Sequence, residues 1–297
     1  MGCKYGRSED LVAGEDGFDN YYRLYQEELQ EIGKRPDLLI FQKDFLHTKY
    51  GSVTDLSNLT RSELDNTVSH ALAAIEVRSS AFLSAKYDAA TLSLKKNIEK
   101  NVIEFSKCLL HEYKDEISGT NGWIEYLTTL ISDGIDILKD SPRAMGRRST
   151  VRLEQASHLT KRINEGLKRL RQRDFLSITP KAEDLSQVYR WIRKFGIPHH
   201  YCQVFFDRAI ILSFENILEI LSDPNRENTD YFIESDEKNQ GKVTFKINVQ
   251  LGHQVMDSVV LPRHTSVMKE LPKGRLLFYV KFETSHANVS ARVVGDD

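Results

Sequence analysis

The chain has little cysteine and no long apolar run, and each absence removes a class of protein. Its 297 residues include three cysteines, Cys3, Cys108 and Cys202. They are too few and too widely spaced for a disulfide framework or a paired-cysteine zinc site. No apolar run reaches the length of about 18 residues that predicts a transmembrane helix. The first residues also lack the basic-then-apolar pattern of a signal peptide, so we expect a reducing, cytoplasmic location.

Two common catalytic signatures are missing as well. The sequence contains neither the glycine-rich phosphate loop of nucleotide hydrolases nor the nucleophile elbow of serine hydrolases. We therefore expect no dependence on ATP. The length suits one large domain, or one domain with an insertion, and the 40% of hydrophobic residues suffices for a sizeable core.

Positive charge is scarce overall but concentrated in one segment. The whole chain carries a net charge of −2, whereas residues 143–173 carry +8, so the remainder carries −10. Such a basic segment indicates contact with phosphate, although a solvated helix face has the same composition. Arginines near its beginning are also suited to guanine recognition. The predicted DNA-binding residues are Arg143, Arg147, Arg148, Arg152, Lys161, Arg162, Lys168 and Arg169.

The spacing of apolar residues and the turn residues predict an alternation of helices and strands. Gly33 is expected to end the first helix, Thr60 to cap the second with Glu63, and Pro180 and Ser213 to open two later helices. Residues 223–241 are predicted to be a polar loop. Predicted helices cover 18–32, 60–70, 89–117, 121–140, 149–172, 180–195 and 213–221. Predicted strands cover 37–42, 71–79, 175–179, 200–207, 243–250, 256–261, 275–283 and 287–294.

This pattern predicts an α/β fold with a mixed sheet flanked by helices. No convincing strand interrupts residues 88–172, which are expected to form a helical insertion. The predicted division is therefore 1–87, 88–173 and 174–297, with a β-rich final part.

Two predicted strands each carry a carboxylate that is unusual for an apolar strand. Asp37 begins the first of them and Glu76 lies within the second. A buried charge without a partner costs several kcal/mol, so two such carboxylates indicate a cation between them. Because side chains alternate along a strand, Glu76 and Arg78 share one face, whereas Ile75 is expected to point into the core with its neighbour at position 77. Two carboxylates and a backbone carbonyl suit Mg²⁺.

The order Pro36-Asp37, then Glu76-Val77-Arg78, resembles the PD-(D/E)XK nuclease superfamily. The resemblance implies metal binding by Asp37, Glu76 and the carbonyl of Val77. Arg78 stands where the superfamily usually has lysine, and an arginine stays protonated and cannot act as a general base. The cationic catalytic role is therefore left open between Arg78 and Lys181.

Several longer segments are similar to the AccI family of type II restriction endonucleases. They are Gly33–Phe41, Ile75–Leu83, Ile178–Leu185, Trp191–Ile192, Pro198–Asp207 and Leu212–Glu215. The resemblance implies a restriction-endonuclease-like catalytic core formed by 1–87 and 174–297, with 88–173 used for DNA binding or dimerisation. It also implies a Mg²⁺-dependent enzyme that cuts both strands of a short palindromic site in double-stranded DNA. A homodimer and a companion DNA methyltransferase acting on the same site are further expectations.

Two more residues are candidates for the site, and other functions stay open. Glu28 is a possible additional acidic group, and Gln203 is placed to line the cleft. The alternatives are another nuclease of the superfamily, a noncatalytic DNA-binding protein, and a helical interaction protein. In the last of these, Asp37 and Glu76 would be ordinary ion-pair partners.

Overall fold

The computed structural model describes residues 2–5, 17–50, 55–56, 59, 61–120, 122–135, 140–146, 150–236, 241–271, 275–283 and 286–289. The chain divides into two compact units, which are described separately. The sheet unit comprises Met1–Ser84 and Leu176–Asp297, and the helical unit comprises Ala85–Phe175. No helix in the described ranges is both long and apolar enough to cross a membrane.

All strands among the described residues belong to the sheet unit. Their bounds are β1 (Gly2–Lys4), β2 (Leu38–Ile40), β3 (Ala73–Ser79), β4 (Ser177–Ile178), β5 (His199–Val204), β6 (Ala209–Ser213), β7 (Tyr231–Asp236), β8 (Lys242–Asn248), β9 (His253–Gln254), β10 (Met256–Val260), β11 (Arg263–Leu271), β12 (Arg275–Glu283) and β13 (His286–Val289).

Helices occur in both units. Their bounds are α1 (Phe18–Glu31), α2 (Lys43–Tyr50), α3 (Arg61–Val68), α4 (Ser84–Glu112), α5 (Lys114–Ile117), α6 (Trp123–Asp133), α7 (Val151–Leu170), α8 (Ala182–Phe195) and α9 (Phe214–Ser222). The helices α4 to α7 contain nearly all of the helical unit's regular structure among the described residues.

The largest sheet has the strand order β1-β2-β3-β5-β6-β9. Within it, β3 and β5 pair in parallel, and the other neighbours are antiparallel. A parallel pair needs a long crossover, which the chain between Ser80 and Pro198 supplies. The register places Glu76 beside Tyr201 and Arg78 beside Gln203. The predicted α/β class with a mixed sheet and a helical insertion is therefore confirmed.

Helix α8 packs against the sheet through a buried tryptophan. Trp191 contacts Tyr5 and Phe195, with ring centroids 6.3 and 5.0 Å away. The same apolar cluster contains Leu39 and Ala74 from the two central strands. Burial of these side chains fixes α8 over β2 and β3. The first turn of α8 is thereby held near the two strands that carry the predicted carboxylates.

The end of α1 requires glycine. Gly33 has a φ of +82°, a left-handed conformation that other residues rarely adopt. A Cβ atom there would lie 2.1 Å from the carbonyl oxygen of Gln187 and 2.8 Å from the amide nitrogen of Trp191. Gly33 therefore ends α1, as predicted, and lets the chain pass close to α8 before Lys34.

The helical unit has a core of its own. Leu109 of α4, Leu127 of α6 and Ile163 of α7 are fully buried in one apolar cluster. Thr150 caps α7, where its hydroxyl accepts a hydrogen bond from the Leu153 amide at 3.3 Å. This cap begins the predicted basic helix at the expected place.

Several element boundaries were predicted incorrectly in the first half of the chain. Strand 37–42 contracts to β2, and α2 directly after it was missed. The helix predicted over 89–117 begins five residues earlier and is interrupted at Tyr113. The helix predicted over 121–140 ends at Asp133, because Gly134 adopts a φ of +92°. The predicted cap Thr60 lies outside the described residues.

The second half contains three further corrections. The polar loop predicted over 223–241 contains β7, whose alternating side chains pair with β8. Strands β6, β9 and β11 were also missed, as was β1 in the first half of the chain. Helix α8 begins at Ala182 rather than Pro180, whose carbonyl instead accepts a hydrogen bond from Phe245. Ser213 does cap α9, accepting a hydrogen bond from the Asn216 amide at 3.1 Å, as predicted.

Candidate active site

The two predicted carboxylates lie on neighbouring strands and are linked through the backbone. Asp37 directly precedes β2, which pairs with β3. Its Oδ2 accepts a hydrogen bond from the Val77 amide at 2.7 Å. The Asp37 carbonyl accepts a second bond from the Tyr5 amide at 2.9 Å. Asp37 is thus fixed at the position where β3 carries Glu76.

Glu76 is a buried carboxylate with one engaged and one unengaged oxygen. Its side chain is only 1% exposed. Oε1 pairs with Lys34 and, at 2.9 Å, with Arg78. Oε2 is buried and has no hydrogen-bond partner among the described residues. Burial raises the pKa of this carboxyl; Lys34 opposes the shift and Asp37 adds to it. An unpaired buried oxygen costs free energy unless something fills its place.

Lys34 was missed by the sequence analysis, although it contacts Glu76 directly. Its side chain is 17% exposed, and its Nζ donates hydrogen bonds to Glu76 and, at 3.0 Å, to Asp184. Burial opposes the charge on Lys34, but the two carboxylates outweigh it, so its pKa is raised. Lys34 is therefore a fixed ammonium rather than a base at neutral pH.

Asp184 is the second residue that the sequence analysis missed. It lies in the first turn of α8 and receives Arg78 Nη2 at 2.9 Å as well as Lys34. Lys34 and Arg78 thus share Glu76 and Asp184, in an arrangement that ties β3 to α8. Both missed residues lie inside segments that carry the family resemblance, and this was the available signal.

The site has an excess of negative charge when Asp37 is included with the ion-paired network. Three carboxylates, those of Asp37, Glu76 and Asp184, face the cations of Lys34 and Arg78.

The burial of the two faces of β3 differs in part from the prediction. Ile75 packs into a small apolar cluster, as expected, but the face of Ala74 and Glu76 is the more deeply buried one.

Two β5 side chains lie beside the charged residues of β3. Tyr201, next to Glu76, has a buried hydroxyl with no hydrogen-bond partner in the described part of the chain, and burial raises its pKa. Gln203, next to Arg78, is 1% exposed and donates from Nε2 to Ser80 Oγ at 3.0 Å. Its Oε1 is buried and also has no hydrogen-bond partner among the described residues. Gln203 therefore lies beside the charged residues of β3, and its role in lining a cleft stays a prediction.

Two other predicted site residues lie in different surroundings. Glu28 forms an ion pair with Arg35, in which Oε1 and Nε are 2.6 Å apart. Arg35 also lies over the Tyr5 ring at 5.3 Å, so this pair joins α1 to the residue directly after β1. Lys181 is exposed at the N-cap of α8, and its side chain forms no hydrogen bond or ion pair with the described residues. The structure therefore brings Lys34, rather than Lys181, to the Glu76 network.

The predicted DNA-binding residues of the helical unit fall into distinct environments. Arg162, Lys168 and Arg169 line one groove of about 440 Å³ between α4 and α7. Arg162 also stacks on Phe105, with its guanidinium 4.2 Å from the ring centroid. These three cations are the part of the basic segment that converges on one concave surface.

The remaining basic residues are arranged differently. Arg152 pairs with Glu116, donates to the Glu112 carbonyl and stacks on the Tyr113 ring, so its guanidinium ties α7 to the preceding helices. Lys161 is exposed near Glu165, and Arg143 is an exposed residue whose carbonyl accepts from Trp123 Nε1. The predicted residues Arg147 and Arg148 lie outside the described residues.

The oxygen atoms available to a metal are few. Within the described ranges, no three His, Cys, Asp or Glu side chains are grouped so that they could hold a metal ion. Asp37 and Glu76 supply two carboxylates, and Glu76 Oε2, although buried, has no hydrogen-bond partner in the described ranges. Hard cations accept such oxygen ligands and take the rest of their shell from backbone, water and substrate. These donors therefore fit a Mg²⁺ ion that takes part of its coordination shell from water and substrate. They are too few to coordinate the ion by protein groups alone.

Comparison with known proteins assigns the chain to a family. No curated protein and no solved structure matches the chain. The model of the AccI restriction endonuclease family, however, matches residues 1–293. The match spans both units and every residue of the Glu76 network. The chain therefore belongs to the AccI restriction endonuclease family, whose activity is site-specific cleavage of DNA.

Proposed function

We propose that this restriction endonuclease is a type II enzyme, cutting both strands of a short palindromic site in double-stranded DNA in a Mg²⁺-dependent reaction. The observation that carries the proposal is the buried Glu76, whose Oε2 is unpartnered in the described part of the chain beside the fixed carboxylate of Asp37. A restriction enzyme needs such a site to gather a cation, a water molecule and a phosphate.

Asp37 and Glu76, with the carbonyl of Val77, would hold the Mg²⁺ ion. When bound, the ion supplies a Lewis acid that offsets phosphate charge and lowers the pKa of a water molecule. Lys34 and Arg78 both engage Oε1 of Glu76, which leaves Oε2 for the ion. The same two cations favour the ionised form of Glu76 against the cost of burial.

Lys34 and Arg78 would also act on the scissile phosphate. An ammonium has three donors, and Lys34 uses two of them on Glu76 and Asp184. The third is available to orient the attacking water or to stabilise the negative charge that develops on the phosphoryl oxygens. Arg78 is 30% exposed, and a guanidinium is a planar cation with several donors, so it is suited to the same stabilising role. Lys181 remains a candidate for a role that requires bound DNA.

Phosphate contacts outside the catalytic site would come from the helical unit. Arg162, Lys168 and Arg169 converge on one groove, which favours them as the principal contacts. Lys161 and Arg143, both exposed, are further candidates, with Arg147 and Arg148 in the same basic segment. Arg152 contributes to DNA binding only by holding α7 in place, because its guanidinium is engaged within the unit.

A palindromic site has two-fold symmetry, which a homodimer with one catalytic site for each strand would match. The family assignment also supports a companion DNA methyltransferase that modifies the same site and so protects cytoplasmic host DNA.

Digestion of a long DNA of known sequence, with Mg²⁺ and with EDTA, tests the function directly. We expect discrete fragments only with Mg²⁺, and sequencing of their ends should give one short palindrome cut on both strands. Nicks or scattered ends would instead indicate a different nuclease of the same superfamily. Intact DNA under both conditions, with salt-sensitive binding retained, would indicate a noncatalytic DNA-binding protein.

A further inference from the structure

The hairpin formed by β11 and β12 has one apolar face that is about half exposed. Nine residue pairs join the two strands, from Arg263 with Glu283 to Leu271 with Arg275. Since side chains alternate along a strand, every second pair points to the same side. On one side lie the apolar residues Met268, Leu276, Phe278, Val280 and Phe282, each between 47% and 69% exposed. We call this side the apolar hairpin face.

The opposite side of the hairpin has a different composition. It carries Arg263, Lys269 and Lys281 among its residues, and its Val267 and Leu277 side chains are half-buried. The apolar hairpin face has no lysine or arginine; its ionisable residues are His264 and Glu270. Nucleic acid binding depends on cations facing the phosphates, so this face is unsuited to DNA. Its chemistry is that of a protein interface.

The five apolar side chains supply more than half of the area that one partner of a standard dimer buries. Five large side chains that are about half exposed present roughly 100 Å² each, or roughly 500 Å² together. A standard interface buries roughly 800 Å² on each partner. His264, Ser266 and Glu270 on the same face supply further contact area. An apolar patch of this size is at the upper end of what an ordinary monomer exposes.

The pattern of the face is complementary to itself. His264 and Glu270 lie three residues on either side of Val267 along β11. If two faces stack with their strands antiparallel, a two-fold axis near this centre places His264 opposite Glu270 of the second copy. The same axis places the Ser266–Val280 pair over the Met268–Phe278 pair, so small side chains meet large ones. Neither ionisable residue meets a like charge.

We infer that the apolar hairpin face is the surface through which two copies of this chain associate, stacked face to face about a two-fold axis. The inference rests on the homodimer of the proposed function and adds the surface that forms it. Phe282 contacts Phe206, with ring centroids 5.6 Å apart, which joins the base of the hairpin to the turn between β5 and β6. Only this end of the apolar hairpin face contacts the turn after β5, and Met268, Leu276, Phe278 and Val280 remain exposed.

Sedimentation of the full chain over a concentration series tests this inference. The wild type is expected to be dimeric, and Phe278→Lys should weaken self-association at least about 30-fold, as expected for a central interface aromatic. Tyr279→Lys is the matched control, because Tyr279 is the next residue, is 45% exposed and lies on the opposite side. Its dimer should be as stable as that of the wild type. A circular dichroism spectrum that matches the wild type confirms that each variant is folded.

A charge exchange tests the symmetry of the contact. Glu270→Lys or His264→Glu alone should weaken the dimer, and the double variant should recover most of the loss, because the exchanged charges again face each other. A wild type that is monomeric throughout, or a Phe278→Lys variant that dimerises as well as Tyr279→Lys, would overturn the inference. Wild-type cleavage of the palindromic site in either of those cases would leave the proposed reaction standing.

Discussion

Lys34 and Glu76 lie 42 positions apart in the sequence and meet in an ion pair on the buried side of β3. The pair is the centre of the candidate site, because Lys34 also reaches Asp184 and Glu76 also receives Arg78. Close ionic contact in a poorly hydrated place makes the removal of either partner costly.

Replacement of Glu76 by glutamine should abolish cleavage while DNA binding is retained. Glu76→Gln keeps the size of the side chain but removes the charge of the proposed metal ligand, and we expect a loss of at least about 100-fold in the single-turnover rate. Glu219→Gln, an exposed glutamate of α9, is the control and should cut at the wild-type rate. Wild-type cleavage by Glu76→Gln would exclude this residue from the site.

Lys34→Met should reduce the cleavage rate by about 100-fold, because the site would lose a fixed ammonium that faces two carboxylates. Lys181→Met is the informative comparison, since Lys181 is exposed and unpaired in the described structure. Single-turnover rates of both variants on saturating DNA distinguish the two lysines. A larger loss in Lys181→Met than in Lys34→Met would return the catalytic role to Lys181.

Binding of Mg²⁺ should be detectable without cleavage. A ligand that binds only the folded state raises the melting temperature, so the wild type should show a Mg²⁺-dependent increase in Tm. Asp37→Asn should largely lose this increase, whereas Asp223→Asn, at the end of α9, should keep it. An equal increase in Asp37→Asn would place the ion elsewhere.

Acidification should destabilise the sheet unit through His199. This side chain is 3% exposed, and its burial among aromatic rings, with His200 and Lys34 adding repulsion, lowers its pKa to about 3. The unfolded chain takes up this proton near its ordinary pKa of about 6.5, whereas the folded chain does not. The contribution to stability is therefore complete above about pH 6.5 and is lost as the pH falls toward about 3.

The measurement for His199 is urea unfolding at about pH 7 and about pH 5.5, followed by tryptophan fluorescence. Trp191, one of the two tryptophans, has its ring centroid 6.0 Å from that of His199. The wild type should lose about 1 kcal/mol more than His199→Phe over this interval. The comparison also removes the contribution of His200, whose pKa burial lowers in both proteins. Equal losses in the two proteins would contradict the assignment.

The groove of the helical unit should determine the salt dependence of DNA binding. Lys168→Ala should reduce the slope of log affinity against log salt concentration by about 1, because one phosphate contact is lost. Lys114→Ala, an exposed lysine of α5 outside the groove, should leave the slope unchanged. Identical slopes for both variants would remove the groove from the DNA interface.

Local patterns were enough to predict the elements that have clear beginnings and ends. Helix α1 with its terminal Gly33, helix α7 with its basic face, and helix α9 with its Ser213 cap were found close to their observed bounds. Strand β2 was predicted too long, and strand β6 was not predicted. A strand of three to five residues is too short to show a clear alternation of apolar and polar residues. Strand β7 was missed because its three apolar residues, Tyr231 to Ile233, are a short run within a polar segment, and its pairing with β8 stabilises it.

The sequence by itself determined the family, the α/β class and the two strands that carry Asp37 and Glu76, because these depend on residue types in a fixed local order. Only the tertiary structure showed which cations pair with Glu76. Lys34 lies 42 residues from Glu76 and 150 from Asp184, and Arg78 lies 106 from Asp184. Such contacts arise from the packing of α8 on the sheet and the tight passage at Gly33. No periodicity along the chain encodes that packing.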